Sequence, residues 1–168
     1  MAHLRAGVQG SAPGGHGTEP VYRAFLLDEA TALAAGHRPC FECRRARFLA
    51  FRDAWAAANH GAVRPETVKA GMLDDRLHAE RVGPGRSKQT FRANLDELPD
   101  GVVIMSGGAS GGAYLVLSDK LLAWSPGGYT GRRARPGGVD VPVLTPRSTV
   151  AAIRAGYEPE IHPSAFKR

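Results

Sequence analysis

The segment AYLVLSDKLLAWS (113–125) decides the fold of the C-terminal half of the chain. Its two apolar runs flank a tight turn at 118–120 and predict two adjacent antiparallel strands. The earlier run GVVIM (101–105) predicts a third strand. VDVPVLT (139–145) predicts a fourth, at an edge of the sheet because Pro142 has no backbone N–H to donate. The pattern therefore predicts a small antiparallel sheet of three to four strands.

The N-terminal half has the periodicity of helices. Asp28 is suited to cap a short, alanine-rich helix that ends at Gly36. Large apolar side chains at helical spacing predict a longer helix from about Pro39 to Asn59. Other helical segments are predicted at 65–82, 87–98 and 149–156, the last capped by Ser148.

Together these patterns predict an α+β fold in one domain. Residues 1–20 are glycine-rich and predict a disordered leader. The domain covers 21–168, with a helical part at 21–98 and a sheet part with a closing C-terminal helix at 99–168. It is expected to begin with a short strand, VYRAFLL (21–27), that leads into the first helix.

Charge and hydropathy limit the classes of partner. The 168-residue chain has 22 Lys and Arg against 16 Asp and Glu, and its net charge of +6 favours a polyanion such as nucleic acid. A coding bias towards arginine would produce the same balance without such a partner. No apolar run approaches the ~18 residues of a membrane span, and no apolar secretory core follows the N-terminus. We expect a cytoplasmic protein without a membrane partner.

Cys40 and Cys43 are the two cysteines of the chain. Side chains three residues apart on a helical turn share a face, so both sulfurs can bind one zinc ion. A structural zinc site takes four ligands, and His37 and His78 are candidates for the others. Three interpretations without zinc stay open: ordinary buried cysteines, a redox pair, or the remnant of a lost site. A thioredoxin-type redox pair is disfavoured because a helix, not a strand, precedes it.

The segment around this pair resembles the zinc-binding segment of the DNA repair protein Ada and its relatives. In that family a strand ending in Phe leads into a helix with Glu-Ala and Ala-Ala-Gly, and Arg-Pro-Cys-x-x-Cys-Arg follows. The matching residues are Phe25, Glu29-Ala30, Ala34-Ala35-Gly36, Arg38-Pro39-Cys40 and Cys43-Arg44. The resemblance covers about 21–45 and implies zinc at Cys40 and Cys43 beside a surface that contacts the DNA backbone. Outside it, the chain resembles only uncharacterised bacterial proteins, which imply no function.

This sequence departs from the Ada family at the first pair of zinc ligands. In that family two further cysteines lie upstream, and one of them accepts the methyl group, whereas no cysteine precedes Cys40 here. Methyl-phosphotriester repair and a four-cysteine zinc site are therefore not implied. His37 replaces the family's usual aromatic residue, either as a ligand or as a surface residue.

A second pattern suggests an enzyme. His78-Ala79-Glu80 and Pro39-Cys40-Phe41-Glu42-Cys43 contain the His-x-Glu and Pro-Cys-x-x-Cys motifs of zinc nucleobase deaminases. In this interpretation Cys40, Cys43 and His78 bind zinc, and Glu80 transfers protons. The order of the two motifs is the reverse of that in deaminases, and His78 lies inside a predicted helix.

Candidate contacts to nucleic acid lie beside the cysteine pair and in a glycine-rich stretch at 125–138, which predicts a mobile loop. They are Arg38, Arg44, Arg45, Arg132, Arg133 and Arg135. Arginines beside aromatic residues suit phosphate contact and base stacking, although solubilising charge is the alternative. We therefore predict a zinc-binding protein that contacts a nucleic-acid backbone. A deaminase-like zinc hydrolase and a metal-free structural or interaction protein are the alternatives.

Overall fold

The structure is a computed structural model that describes residues 26–60, 64–106 and 111–167. Its helices are α1 (Glu29–Ala34), α2 (Arg45–His60), α3 (Ala70–Arg81) and α4 (Arg147–Arg154). Its strands are β1 (Phe91–Asn94), β2 (Val103–Ser106), β3 (Gly112–Leu117), β4 (Lys120–Ser125), β5 (Gly128–Ala134) and β6 (Asp140–Val143). The predicted leader and most of the predicted strand at 21–27 lie outside the described residues.

The six strands form one antiparallel sheet in the order β1-β6-β2-β3-β4-β5. The α+β class is therefore confirmed, and β2, β3 and β4 lie where strands are predicted. The prediction of a three- to four-stranded sheet was wrong, and so was that of a purely helical part at 21–98, because β1 lies inside it. No helix of the described part is long and apolar enough to cross a membrane.

β1 lies in the middle of the segment 87–98, where a helix was predicted. Its four residues pair with β6, with Phe91 opposite Val143. The guanidinium of Arg147 lies 4.2 Å from the centre of the Phe91 ring. Only the short 3₁₀ turn Leu95–Glu97 is helical in this segment. The strand depends on a partner far along the chain, so local periodicity could not predict it.

β5 and β6 correct two further predictions. The stretch 125–138 is not a loop throughout, because it contains β5, which pairs with β4 at one edge of the sheet. β6 lies between β1 and β2 and is not the edge strand predicted from Pro142. The N–H of Leu144 donates to the carbonyl of Val103 on β2 at 2.9 Å. Pro142, two residues earlier, also faces β2, but it has no N–H to donate. Pairing of β6 with β2 accordingly involves only Val143.

The sheet is covered on both faces, which explains the nearly continuous apolar runs of β3 and β4. Leu121 packs with Phe51 in the core between the sheet and α2, α3 and α4, whereas Leu122 packs in a second core on the opposite face. Each fully buried leucine contributes about 1.5–3 kcal/mol. α1 contributes Leu33 to the first core and Ala30 to the second, so it lies where the two cores adjoin.

The start of α1 is connected to distant parts of the chain. Asp28 caps the helix, as predicted, by accepting from the N–H of Thr31 at 2.9 Å. Its second carboxylate oxygen accepts from the hydroxyl of Tyr129 (2.7 Å) and from the N–H of His162 (3.0 Å). Burial, with the nearby carboxylate, raises the pKa of Tyr129, so this hydroxyl remains a donor. These contacts fix the helix that precedes the cysteine pair.

Candidate functional site

A tight bend leads from α1 to the cysteine pair. Gly36, the predicted end of the helix, has a φ of 79°, a left-handed conformation that favours glycine. A Cβ at this position would lie 2.5 Å from Cδ of Arg81 on α3. The chain then follows α3, where Arg38 donates two hydrogen bonds of 2.8 Å to the carboxylate of Asp74. The connection therefore has a defined course up to the buried Pro39.

Cys40 and Cys43 lie on one turn immediately before α2, which we call the cysteine turn (residues 40–43). The carbonyl of Cys40 accepts from the N–H of Arg44 at 3.0 Å. The N–H of Cys43 points at the sulfur of Cys40, with an N–Sγ distance of 3.5 Å. Both thiols are exposed, and α2 begins only at Arg45 rather than at Pro39. The structure thus brings the two thiols together on the protein surface.

The two thiols differ in acidity. Hydrogen bonds from the backbone N–H and the thiol of Cys43, together with the N–H of Glu42, lower the pKa of Cys40. The same thiol-to-thiol hydrogen bond raises the pKa of Cys43, and the charge of Arg44 opposes this only in part. Cys40 is therefore the thiol that ionises first.

Aromatic rings and arginines surround the cysteine turn. Phe41, which is 39% exposed, packs edge-to-face on Phe48 with 5.2 Å between ring centres. The guanidinium of Arg45 lies 4.5 Å from the centre of the Phe41 ring, and that of Arg38 lies 5.2 Å from the centre of Phe48. Cation–π contacts of this kind keep positive charge next to the thiols.

His37 and His78 are not assembled with the cysteines into a metal site. Both are exposed, His37 after the end of α1 and His78 in the last turn of α3. Among the residues that the structure describes, no group of three or more His, Cys, Asp or Glu side chains is placed to hold a metal ion. Among the described residues, the cysteine turn therefore offers two candidate metal ligands and no third beside them.

Glu80 has a structural role. One of its carboxylate oxygens accepts from both the N–H (2.9 Å) and the hydroxyl (2.8 Å) of Ser148. The other accepts from Nε of Arg76 at 2.6 Å. Pro146, at the N-cap of α4, provides no side-chain cap, and Ser148 lies inside the helix rather than at its predicted cap. Glu80, on α3, therefore provides the N-terminal cap that α4 lacks. Sequence spacing does not reveal this contact between the two helices.

The three arginines at 132–135 are also used within the fold. The guanidinium of Arg133 lies 4.2 Å from the centre of the Tyr114 ring. Arg132 donates to backbone carbonyls of the C-terminal segment. Arg135 donates to the carbonyl of Leu98 at 2.8 Å and is only partly exposed. Arg132 and Arg133 remain exposed on the edge strand β5, whereas Arg135 is mainly a structural residue.

Arg44 takes part in a network that sequence reasoning missed. Glu29 on α1 is buried, with 4% of its side chain exposed, and forms ion pairs with Arg47 and Arg44. It also accepts from the N–H of Glu160 at 2.9 Å. Arg47 donates to the hydroxyl of Tyr157 at 2.9 Å. An acidic residue in the first turn of a helix ordinarily signals only a favourable helix end, so nothing in the sequence revealed this network.

Two other basic residues adjoin the chain that leads into the cysteine turn. Arg81 lies against Gly36, and Lys88 is close enough to Arg81 to be affected by its charge. Burial, with that charge, lowers the pKa of Lys88. Within the described ranges, Arg81, Lys88 and Arg45 form no ion pairs. Arg45 and Lys88 are exposed and therefore available to an anionic partner, whereas Nε of Arg81 is buried; we call these three residues the basic band.

Comparison with known protein families, curated proteins and solved structures found no match. The resemblance to Ada therefore stays a prediction from residues 21–45. Of the residues that support it, Phe25 lies outside the described part. The short helix and its glycine end are present as described above.

Proposed function

We propose that this protein binds zinc through Cys40 and Cys43 and uses the adjacent basic surface to contact a nucleic-acid backbone, without methyl-phosphotriester repair. The observation that supports the metal is the cysteine turn itself. Both thiols are exposed on one turn, with an N–H donor directed at one sulfur. Ordinary structural cysteines are buried in apolar surroundings, which these are not.

Hydrogen bonds from Cys43 and from the N–H of Glu42 lower the pKa of Cys40 and favour its thiolate, and zinc binds thiolates readily. The hydrogen bond to Cys40 raises the pKa of Cys43, and the charge of Arg44 opposes this in part. Because the ligands come from a single turn after a fixed bend, they need little rearrangement to bind a metal ion.

The basic band supports the nucleic-acid part of the proposal. Arg45 carries its charge next to the exposed ring of Phe41, which suits simultaneous contact with a phosphate and a base. Arg38 is paired with Asp74, and Arg135 is committed to backbone carbonyls. The face around the cysteine turn is therefore a better candidate surface than the one around β5.

The deaminase-like alternative has less support. Glu80, its proton-transfer residue, already accepts three hydrogen bonds and stabilises α4. Two clefts in the described part of the chain have volumes of about 340 and 380 Å³. The first cleft is lined by Trp55, Asn59, Met72, Asp75 and Arg76. The second is lined by Tyr129, Thr130, Arg132, Ser164 and Lys167. Neither cleft includes a cysteine or Glu80, so we do not propose an enzyme.

Metal analysis by mass spectrometry tests the zinc site. Untagged wild-type protein should contain zinc, and Cys40→Ser and Cys43→Ser should each lose it while remaining folded. His78→Ala is the matched control, and it should retain the metal because His78 is not assembled with the thiols. Folded wild-type protein without zinc would refute the proposal.

Fluorescence anisotropy with a short duplex tests the nucleic-acid surface. Binding should weaken steeply with salt, and Arg45→Ala should reduce the slope of log K against log salt by about 1. Arg64→Ala is the control, because this exposed arginine follows the C-terminal end of α2, whereas Arg45 lies at its N-terminal end. Equal losses in the two variants would show that only overall charge matters.

A further inference from the structure

The cysteine turn is half of a zinc site whose other half is not among the described residues. Zinc in structural sites is almost always bound by four ligands in a tetrahedron. Cys40 and Cys43 provide two, and the part of the chain described here places no third His, Cys, Asp or Glu beside them. Because both thiols are exposed, they are open to ligands from a second molecule.

We propose that two copies of this chain share one zinc ion, each contributing Cys40 and Cys43 to a four-cysteine site. This inference rests on the proposed zinc function and names the missing ligands. A two-fold axis through the metal ion relates the two cysteine turns and completes the tetrahedron with two identical halves. The partner surface is then the same patch on both copies, so no second kind of binding surface is required.

The charges around the cysteine turn favour four thiolates. One zinc ion with four thiolates carries a net charge of −2, and Arg45 from each copy would bring one positive charge to it. A site of two cysteines and two histidines would be neutral and would leave Arg45 without a compensating charge, whereas Arg44 already pairs with Glu29 and Glu160. Burying the thiolates between two copies strengthens the attraction, because the effective dielectric constant falls.

The same arginines make the contact depend on the metal. Each chain carries a net charge of +6, and the two cysteine turns would meet with like-charged guanidinium groups close together. Without zinc these groups repel each other. Zinc with its four thiolates converts that repulsion into attraction, so the dimer should form only when the metal is bound.

Phe41 gives the contact a small apolar part. It lies between the two cysteines in sequence and is 39% exposed, although it is a large aromatic side chain. Phe48 and Arg45 fix its ring in place. In the two-fold arrangement Phe41 would lie near the metal ion, so formation of the dimer and contact of this ring with a base would compete.

Native mass spectrometry and light scattering, with a phosphine reductant to exclude disulfides, test the proposal. Zinc titrated into metal-free protein should saturate at about one ion per two chains. The mass should rise from that of the 17.8 kDa chain to twice that value. A chelator should return the protein to monomers, and Cys43→Ser should stay monomeric. The double variant His3→Ala/His16→Ala, which removes histidines outside the described part, should still dimerise with zinc.

The other outcomes separate the two proposals. One zinc ion per chain in a monomer would overturn the shared site but leave the zinc function intact, and loss of that zinc in His3→Ala/His16→Ala would identify the N-terminal histidines as its ligands. A dimer that persists with chelator and reductant would overturn the shared site as the cause of association. Absence of zinc binding would overturn both proposals.

Discussion

The cysteine turn and the carboxylates of Glu29 and Glu80 use polar groups in opposite ways. Cys40 and Cys43 are exposed, and the contacts of their side chains are confined to the turn itself. Glu29 and Glu80 lie between elements, and their oxygens are occupied by partners from other helices and from the C-terminal segment. A polar residue between two elements is used to join them, whereas one on a surface turn remains available for a ligand.

The largest expected effect is that of Glu29→Ala. It removes the buried carboxylate from Arg47 and leaves the N–H of Glu160 without its acceptor, so the free energy of unfolding should fall by about 3 kcal/mol. This is the lower end for a buried pair, because Arg47 keeps its contacts to Tyr157 and Glu160. Urea denaturation measures this change. Glu160→Ala is the control, because that side chain is 59% exposed and its loss should cost far less. Similar losses in both variants would contradict a buried network centred on Glu29.

Glu80→Ala separates a helix cap from a catalytic base. Loss of its contacts to Ser148 and Arg76 should lower the free energy of unfolding by about 2 kcal/mol. Zinc content should not change, because Glu80 belongs to neither the turn nor its ligands. Glu66→Ala, at an exposed site, is the matched control. Unchanged stability with loss of a zinc-dependent activity would restore the deaminase-like alternative.

Gly36→Ala tests the bend before the cysteine turn. The left-handed conformation should cost alanine about 1–2 kcal/mol, and the new Cβ would displace Arg81. Gly71→Ala is the control, because Gly71 lies in α3 with open space around it. This substitution should raise the free energy of unfolding by about 0.4–1 kcal/mol. Thermal and urea denaturation of both variants give these values. A stabilising Gly36→Ala would show that the bend is not restricted.

The smallest effect on stability is expected for the thiols, where the observable is reactivity. The lowered pKa of Cys40 leaves a larger fraction of it as thiolate at neutral pH, so brief alkylation of metal-free protein should modify Cys40 before Cys43. As pH rises, the rate at Cys40 should increase first. Peptide mass spectrometry measures both rates. Preferential reaction at Cys43 would show that the thiol of Cys40 donates to Cys43 and not the reverse. The Cys40→Ser variant should have the same thermal midpoint as the wild type.

Local patterns predicted the elements whose partners are close in sequence. The capped helix α1, its end at Gly36 and the β3–β4 pair all depend on residues within one short segment. The cysteine pair lies on one turn for the same reason. The start of α2 was predicted several residues too early, because the helical side-chain pattern extends back into the cysteine turn.

The remaining errors have a common cause. β1 requires its partner β6, and β5 is a strand although glycines and arginines are abundant in it, because β4 offers a free edge. His78 and Glu80 form a motif in the sequence, but their positions on α3 leave His78 exposed and direct Glu80 to α4. No local window contains these partners.

The sequence alone determined the α+β class, the short helix with its cap and glycine end, the central strands and the position of Cys40 and Cys43 on one turn. These follow from side-chain period, capping and turn preferences, which act within a few residues. The tertiary structure alone decided the six-stranded order and the structural roles of Glu29, Glu80 and Arg135. It also decided that, within the described residues, the cysteine turn has no further ligands. These depend on which distant groups meet when both faces of the sheet are buried.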